Sequence, residues 1–562
     1  MTETKSPGDL RQLVGEGAIT AFYNRIRDLT GWRAGLVAFG AGALSNLSFA
    51  PTYLWPVFSC GLMILVWMLD GTARGRHPRR GAFWRAFCFA LGLFGVGFHW
   101  VAFAFLVNPG THLAFIWMAA LLPIGLALIW GGVVRVMINW WNEGPGRVVL
   151  LGISLFIAEW IRGHLFGGFP WNLPGMVWAP GGAISQSASL FGIYGLSLLT
   201  LVAFCGPAAL LDPRSNITAK GGAMGRAIPV VASALIFGML WGWGAQRLGD
   251  SPVELTESRV RLVDVGAPQA EKFEKHGMVL RRYRELTGSE HPGDPSLVIW
   301  PEGALPYLLL QDPAALDLVT ERLGNRKLIA GTVFEDRQLI PKKAYNALAV
   351  LDSQAVVRGA EQIYYKHRLV PFGELVPFRN VAAMIGIGAL QQLATDGFYS
   401  GPKPTTLSAN GMPDFLPLIC YEALFPGLLP RRRLEMQDDA DFGLDPQPKW
   451  LVNISIDAWF GPLWAPYQHM EHARYRAIEE GLPMVRVASR GKSGVIDAHG
   501  RITALATAPI DDPANPPGWK PRLLDAQIPA SIQPTVYGRW RDLWVWLCLI
   551  GVFLGMLVLP RD

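Results

Sequence analysis

The sequence predicts a helical membrane domain joined to an α/β domain that lies in water. Hydrophobic residues make up 51% of the chain and charged residues 17%, with 22 tryptophans, which is too apolar for a wholly soluble protein. The apolar excess is confined to long runs before residue 247 and after residue 538. Between them, from about Ser258, the pattern changes to apolar runs of strand length separated by turns and amphipathic helices.

Eight runs are long enough, or nearly so, to cross a bilayer: Trp32–Ala50, Trp55–Leu69, Phe83–Leu106, His112–Met137, Val148–Ile161, Leu190–Leu211, Ile228–Ala245 and Leu543–Leu559. Seven precede the soluble domain and one follows it. The second and fifth are short, so tilted, broken or partly re-entrant ends are expected there. This gives a membrane domain over 1–246, a soluble domain over 247–538 and a closing span within 539–562.

Orientation follows from the positive charges of the short loops, because Lys and Arg flanking a span resist translocation. Arg74, Arg76, Arg79, Arg80 and Arg85 lie between spans two and three, Arg135 and Arg147 flank the loop after span four, and Arg214, Lys220 and Arg226 lie between spans six and seven. Those loops are expected in the cytoplasm. Val107–Thr111 has no charge and Arg162–Ser189 carries only Arg162, which fits the other side. The soluble domain is then outside and both termini are inside. The polar first 31 residues and the apolar runs that follow read as a signal anchor rather than a cleaved export peptide. The net charge of +6 needs no nucleic acid, since cytoplasmic loops beside an anionic leaflet account for it. No Walker loop, paired CxxC or HExxH is found, so no cofactor and no metal is expected.

In the soluble domain Arg259–Val265, Ser296–Trp300, Lys327–Val333, Ala347–Leu351, Phe415–Tyr421, Trp450–Ile456, Met484–Ser489 and Gly494–Asp497 read as strands, with Val356–Ile363 strand-like. Ala314–Leu323 and Tyr467–Glu480 read as helices; the latter carries Met470, Ala473, Ala477 and Ile478 on one side and Glu471, Arg474, Arg476 and Glu480 elsewhere. Alternating strands and helices make an α/β layered domain. Gly373–Gly401 lacks a clean period and reads as a buried connection or a membrane-dipping lid. Leu434–Lys449, with five acidic residues, reads as a solvated loop.

Three motifs put a reactive side chain just after a strand. They are Trp300-Pro301-Glu302-Gly303, then Tyr364-Tyr365-Lys366-His367-Arg368-Leu369-Val370-Pro371-Phe372-Gly373-Glu374, then Cys420-Tyr421-Glu422. Cys420 is the only cysteine between Arg247 and Arg539, so it has no partner there for a disulfide. A thiol is mostly protonated at neutral pH, so a nucleophilic Cys420 needs a carboxylate to take its proton or a cation to stabilise the thiolate. Glu302 can do the first and Lys366 the second. Lys366, with backbone N–H groups near Tyr421, can also stabilise the oxyanion of a tetrahedral intermediate. The resulting thioester passes its acyl group to water or to an amine. His469 and His472 flank Glu471 on a helix and read as structural.

The Glu–Lys–Cys order within these motifs resembles the nitrilase or carbon–nitrogen hydrolase superfamily. Seven spans before the domain and one after it narrow the resemblance to the apolipoprotein N-acyltransferases. It implies an αββα sandwich facing the periplasm, a monomer in the bacterial inner membrane, and a two-step transfer of an acyl chain. The donor would be a phospholipid and the acceptor the diacylglyceryl-modified N-terminal cysteine of a lipoprotein. Residue by residue, Glu374 matches a second glutamate that steadies the lysine and the intermediate. Tyr421 matches a tyrosine lining the acyl pocket, and Glu422 a glutamate supporting the site. Trp171, in Phe169-Pro170-Trp171-Asn172, matches a segment near the lipid entrance. Three positions depart from the family pattern: Ile456 where an Asn precedes Asp-Ala-Trp-Phe-Gly, Asp264-Val265-Gly266 for Gln-x-Asn, and Ser489-Arg490-Gly491-Lys492-Ser493-Gly494 for an Asn-Asn-Gly-like turn.

Two other readings compete. A membrane-tethered amidase would use the same three residues with water as acceptor, but it would need only one anchor. A transporter or receptor would need polar residues inside the spans, where His99 and Glu159 are candidates and Asp70, Arg85 and Arg162 sit at span ends.

Overall fold

The computed structural model describes residues 7–107, 110, 113–212, 222–289, 294–306, 308–338, 342–371, 373–374, 397–409, 411–430, 447–507, 509–511, 515–543, 545–547 and 551. The N-terminal region is helical: α1 Pro7–Arg27, α2 Gly31–Leu44, α3 Trp55–Ala73, α4 Pro78–Gly97, α5 Leu121–Met137, α6 Gly146–His164, α7 Ala188–Cys205 and α8 Gly222–Gly249.

Five helical stretches among the described residues are long and apolar enough to cross a membrane: Trp55–Ala73, Leu113–Trp140, Gly146–Gly167, Ile184–Leu210 and Met224–Gly249. A sixth arises if α4 and the 3-10 segment His99–Leu106, bent by 44° to each other, form one span. The two runs that were short in the sequence are therefore full-length helices. The first expected span instead breaks, α2 ending at Leu44 and a 3-10 turn covering Ser45–Ser48. Most of Leu543–Leu559 lies outside the described residues.

Met224, Leu235, Met239 and Trp241 of α8 are exposed, an apolar surface suited to lipid rather than water. α2 and α4 approach closely because glycines face each other: a Cβ on Gly42 would lie 1.9 Å from the Phe89 carbonyl oxygen, and one on Gly92 would lie 2.0 Å from that of Phe39. Buried charges in this region are paired. Arg147 meets Asp70 at 2.9 Å and Asp212 at 2.5 Å, Arg162 pairs with Glu159, and Trp130 donates to Glu159 at 2.9 Å. Glu159 thus locks helices together instead of lining a path.

The second region is a two-sheet sandwich. One sheet has the order β11-β1-β2-β3-β4-β5 and the other β10-β9-β8-β7-β6. The strands are β1 Leu255–Asp264, β2 Leu297–Ile299, β3 Lys327–Asp336, β4 Lys343–Leu351, β5 Gln362–Tyr365, β6 Phe415–Ile419, β7 Trp450–Ile456, β8 Met484–Ser489, β9 Gly494–Ile496, β10 Ile502–Leu505 and β11 Arg522–Pro529.

The period-two alternation of the strands sorts side chains into layers. Val260, Leu262, Leu297, Ile299, Leu348 and Val350 meet Phe415, Ile419, Val452, Ile454, Val485 and Val487 between the sheets. On the outside of the first sheet, Val263, Val298, Leu328 and Ala349 pack under the helices α10 His276–Gly288 and α11 Pro313–Thr320, which follow the short α9 Gln269–Glu274. On the outside of the second, Leu416, Leu418, Leu451 and Met484 pack under α12 Ala465–Glu480, and that core runs on without a break into the helices of the N-terminal region.

Two readings of the sequence need correction. Val356–Ile363 is not a strand: a helical turn covers Ala355–Arg358, Gly359 reverses the chain at φ 80°, and β5 starts only at Gln362. The charged side of α12 is not a free face, since Glu471, Arg476 and Glu480 are as buried as Met470 and Ala473. Residues 375–396 and 431–446, where a lid and a solvated loop were expected, lie outside the described residues.

Candidate active site

β6 ends at Ile419, and Cys420 opens a 3-10 turn, Cys420–Leu424, with φ 53°. That left-handed conformation is uncommon for a residue with a side chain and persists only where the surroundings enforce it. Glu422 enforces it. Its fully buried carboxylate accepts from the Ile419 N–H at 2.7 Å, and from the Tyr364 hydroxyl at 2.7 Å and the His367 and Arg368 N–H groups at 2.8 and 3.1 Å. One side chain therefore binds the Cys420 turn to the segment that follows Lys366.

Lys366 leaves the end of β5 and is fully buried. Its ammonium lies 2.9 Å from Glu374 Oε1 and 3.2 Å from Glu302 Oε1. Burial alone would lower this lysine, but Glu302, Glu374 and Cys420 outweigh it and push it up, so it stays a cation. Asn346 of β4 bridges the two carboxylates, donating at 2.6 Å to Glu302 and 2.8 Å to Glu374. The other oxygen of Glu302 accepts from the Ile456 N–H at 3.0 Å, and that of Glu374 accepts from the Val370 N–H at 2.9 Å. β3 can run this close only because it carries Gly331, where a Cβ would lie 2.5 Å from the Glu302 Cα.

The Cys420 thiol is buried beside this cluster. Burial pushes it up and Glu302 adds to the rise, while Lys366 and a hydrogen bond with Ser455 oppose it. At rest the group is a thiol next to a carboxylate that can accept its proton and a cation that can stabilise the charge formed. The arrangement suits attack on a carbonyl carbon.

The remaining expected site residues sit further out. Tyr421 donates through its hydroxyl to the Gly168 carbonyl at 2.6 Å and stacks on Phe169, ring centroids 6.4 Å apart. Trp171 is buried one layer beyond, 4.6 Å from the Trp100 ring, and donates to Gln468 Oε1 of α12 at 2.8 Å.

Several contributors were missed in the sequence. Asn346 falls one residue before the run Ala347–Leu351 read as a strand, and Tyr364 was read only as the first residue of the lysine motif; β4 and β5 in fact include them, and a polar side chain on a buried strand must find a partner. Below Cys420, Asp457 pairs with Arg486 at 2.9 Å and with His469 Nδ1 at 2.9 Å, while His469 Nε2 lies 3.3 Å from the Cys420 carbonyl oxygen. Burial would raise Asp457, but Arg486 and His469 outweigh it and hold its carboxyl well below the usual range.

The departures from the family pattern gather on the far side of Glu302. Ile456 meets Glu302 through its backbone, and Asp264 accepts from the Gly266 and Arg490 N–H groups at 2.9 and 3.0 Å. Lys272, fully buried, donates to the Gly303 carbonyl at 3.1 Å and to Ser489 at 3.3 Å.

Comparison with known proteins agrees with this geometry. The family model of the apolipoprotein N-acyltransferase N-terminal domain matches residues 41–206, and that of carbon-nitrogen hydrolase matches residues 293–533. Apolipoprotein N-acyltransferase of Rhodopseudomonas palustris is 36% identical over 551 residues, covering 94% of this chain and 96% of its own. Those of Bradyrhizobium diazoefficiens and Caulobacter vibrioides are each 35% identical, covering 91% of this chain and 92% of their own. Two domain matches in the order of the two structural regions, and full-length relatives above a third identity, place the chain in the apolipoprotein N-acyltransferase family.

Proposed function

We propose that the N-acylation of apolipoproteins, the activity of this acyltransferase, proceeds through an acyl thioester on Cys420 in two half-reactions. In the first, Glu302 takes the thiol proton as Cys420 Sγ attacks an ester carbonyl of a phospholipid. The tetrahedral oxyanion is met by the Lys366 ammonium and by the N–H groups of the turn after Cys420. Its collapse breaks the ester C–O bond, and Glu302 returns the proton to the departing oxygen of the lysophospholipid. In the second, the amine of a diacylglyceryl-modified N-terminal cysteine attacks the thioester, Glu302 takes the amine proton, and the thiolate leaves and is reprotonated. The product is an amide, so transfer from the thioester runs downhill.

The observation that carries this reading is the Lys366 ammonium buried between Glu302 and Glu374, with its charge felt by a thiol held at positive φ. Glu374 holds Lys366 in place, Glu422 holds the nucleophile turn, and Tyr421 and Trp171 line the way in for the acyl chain. Eight spans, a membrane domain over 1–246, a catalytic domain over 247–538 on the periplasmic face of the inner membrane, a closing span within 539–562, cytoplasmic termini and a monomer complete the proposal. The charge of the short loops supports the orientation.

The test is a mass spectrum of the Cys420-containing peptide after incubation of the detergent-purified protein with phospholipid. A diacylated lipopeptide with a free amine is then added. The expected result is an acyl adduct on Cys420 that moves to the lipopeptide. Absence of both, with hydrolysis of small amides instead, would overturn the proposal.

A further inference from the structure

A cavity of about 420 Å³ opens where the end of α6 meets the soluble domain, with Phe425, the residue after the Cys420–Leu424 turn, in its wall. Its size is that of a small-molecule site. Trp160 and His164 of α6, Phe425, Trp546, Arg368 and Lys403 contribute to its wall. Arg368 lies two positions after Lys366, and its backbone N–H is one of those held by Glu422, so the cavity is tied to the catalytic cluster.

The charge of the wall is uneven. Arg541 is neutralised by Glu480, and Asp542 is the one acidic residue among the described residues of the lining. Arg368 and Lys403 form no ion pair among the described residues, and Arg368 Nε is buried without a hydrogen-bond partner. The Arg368 guanidinium stacks 5.1 Å from the Phe425 ring, which holds its donors in place. Trp160, Trp540 and Trp546 give the wall the aromatic character found at the level of lipid head groups. Unpaired guanidinium and ammonium donors at that level call for a phosphate.

We propose that this cavity binds the phosphate of a phospholipid head group, with Arg368 and Lys403 as its counter-ions and Trp160 and Trp546 against the glycerol end of the chains. It deepens the reading of a phospholipid as acyl donor, and that reading gives the site its role in the reaction. Binding itself can be measured without acyl transfer, so failure of one is distinguishable from failure of the other.

The experiment uses full-length protein carrying Cys420→Ser, which cannot be acylated, in detergent, with native mass spectrometry of bound phosphatidylglycerol, diacylglycerol or inorganic phosphate. Phosphatidylglycerol is expected to be retained, and Arg368→Gln with Lys403→Gln to weaken its retention at least tenfold, while diacylglycerol binds weakly in both forms. Equal retention by the double variant, or retention of diacylglycerol as strong as that of phosphatidylglycerol, would overturn the proposal. So would displacement of the lipid by millimolar inorganic phosphate, which would mark a site for the free anion. If the double variant melts early, Lys403→Gln alone, on an exposed side chain, carries the same comparison with a smaller expected loss, about threefold.

Discussion

Exchanging one oxygen of Glu422 for an amide, Glu422→Gln, tests whether the nucleophile is held by a charge or merely by packing. The carboxylate has one oxygen on three donors, Tyr364, His367 and Arg368, and the other on the Ile419 N–H at 2.7 Å. The glutamine keeps most bonds by placing its carbonyl on the three donors. Its NH2 then faces the Ile419 N–H, donor against donor. The loss of a charge-assisted bond at a buried N–H is worth roughly 1.5–3 kcal/mol. That is the size of the strain of a left-handed non-glycine residue, about 1–3 kcal/mol. The Ile419–Cys420 peptide is thus freed to relax, and Cys420 leaves its positive φ. At about 1.4 kcal/mol per factor of ten, the rate of acyl-adduct formation on Cys420 is expected to fall roughly 10- to 100-fold. Half-saturation by phospholipid should change little, because the substitution does not reach the lipid. The assay is time-resolved mass spectrometry of the Cys420 peptide at saturating phospholipid, with the thermal midpoint measured in the same detergent. Acylation within twofold of the parent at an unchanged midpoint would refute the reasoning.

Gly331→Ala should force β3 and Glu302 apart, since the added Cβ meets main chain at 2.5 Å; the expected cost is about 1–3 kcal/mol, with thioester formation lost before folding, and a fully active variant would contradict the close approach. Asp457→Asn leaves Arg486 buried without its anion and should cost roughly 3–5 kcal/mol near pH 7. Because the folded Asp457 is depressed, its stabilisation is complete above the unfolded value of about 3.9 and is lost as pH falls toward the folded value. Thermal midpoints of parent and variant should therefore converge below about pH 4, and a gap that stays constant from pH 3 to 7 would rule out this electrostatic role. Gly42→Ala puts a methyl 1.9 Å from the Phe89 carbonyl oxygen and should spread α2 from α4; detergent-solubilised protein should melt earlier with the rate of adduct formation on surviving molecules unchanged, and an unshifted midpoint would count against that helix contact.

The inner strands of the second sheet were legible because they are buried on both faces. β7 and β8 run from Trp450 to Ile456 and from Met484 to Ser489, segments rich in Val, Leu and Ile though broken by Asn453, Ser455 and Arg486. β11 escaped because Arg522–Pro529 is partly exposed along most of its length and gets its place from antiparallel pairing with β1, a long-range contact that no local pattern records. Likewise, Glu302, Lys366, Glu374 and Cys420 could be picked out by residue type and motif, while Asn346 could not, since its role depends on β4 lying beside the loop after β2. The helices of the N-terminal region followed the apolar runs, but the break after Leu44 and the 44° bend beyond Gly97 fall inside runs that were each read as one span and so leave no mark in that pattern.

α12 shows why a sequence pattern can mislead in a chain of this kind. Its apolar residues face β6, β7 and β8 as the period of the helix requires, yet most of its polar residues, Gln468, Glu471, Arg476, Glu479 and Glu480 among them, are buried. Gln468 donates to the Ala50 carbonyl at 3.2 Å, Glu471 accepts from the Tyr53 hydroxyl at 2.6 Å, Tyr475 donates to the Gly175 carbonyl at 3.1 Å, and Glu479 accepts from the Ile193 N–H at 2.8 Å. All four partners belong to the N-terminal helical region. On the same helix His469 touches Asp457 and the carbonyl of Cys420. Sliding the two regions past each other would strand several buried polar groups at once, each at about 1–3 kcal/mol. The helix therefore fixes the height of Cys420 relative to the membrane helices. In the proposed mechanism a Cys420 held in that way does not travel to its substrates, so the acyl donor and the acceptor amine would reach the same thiol, one after the other.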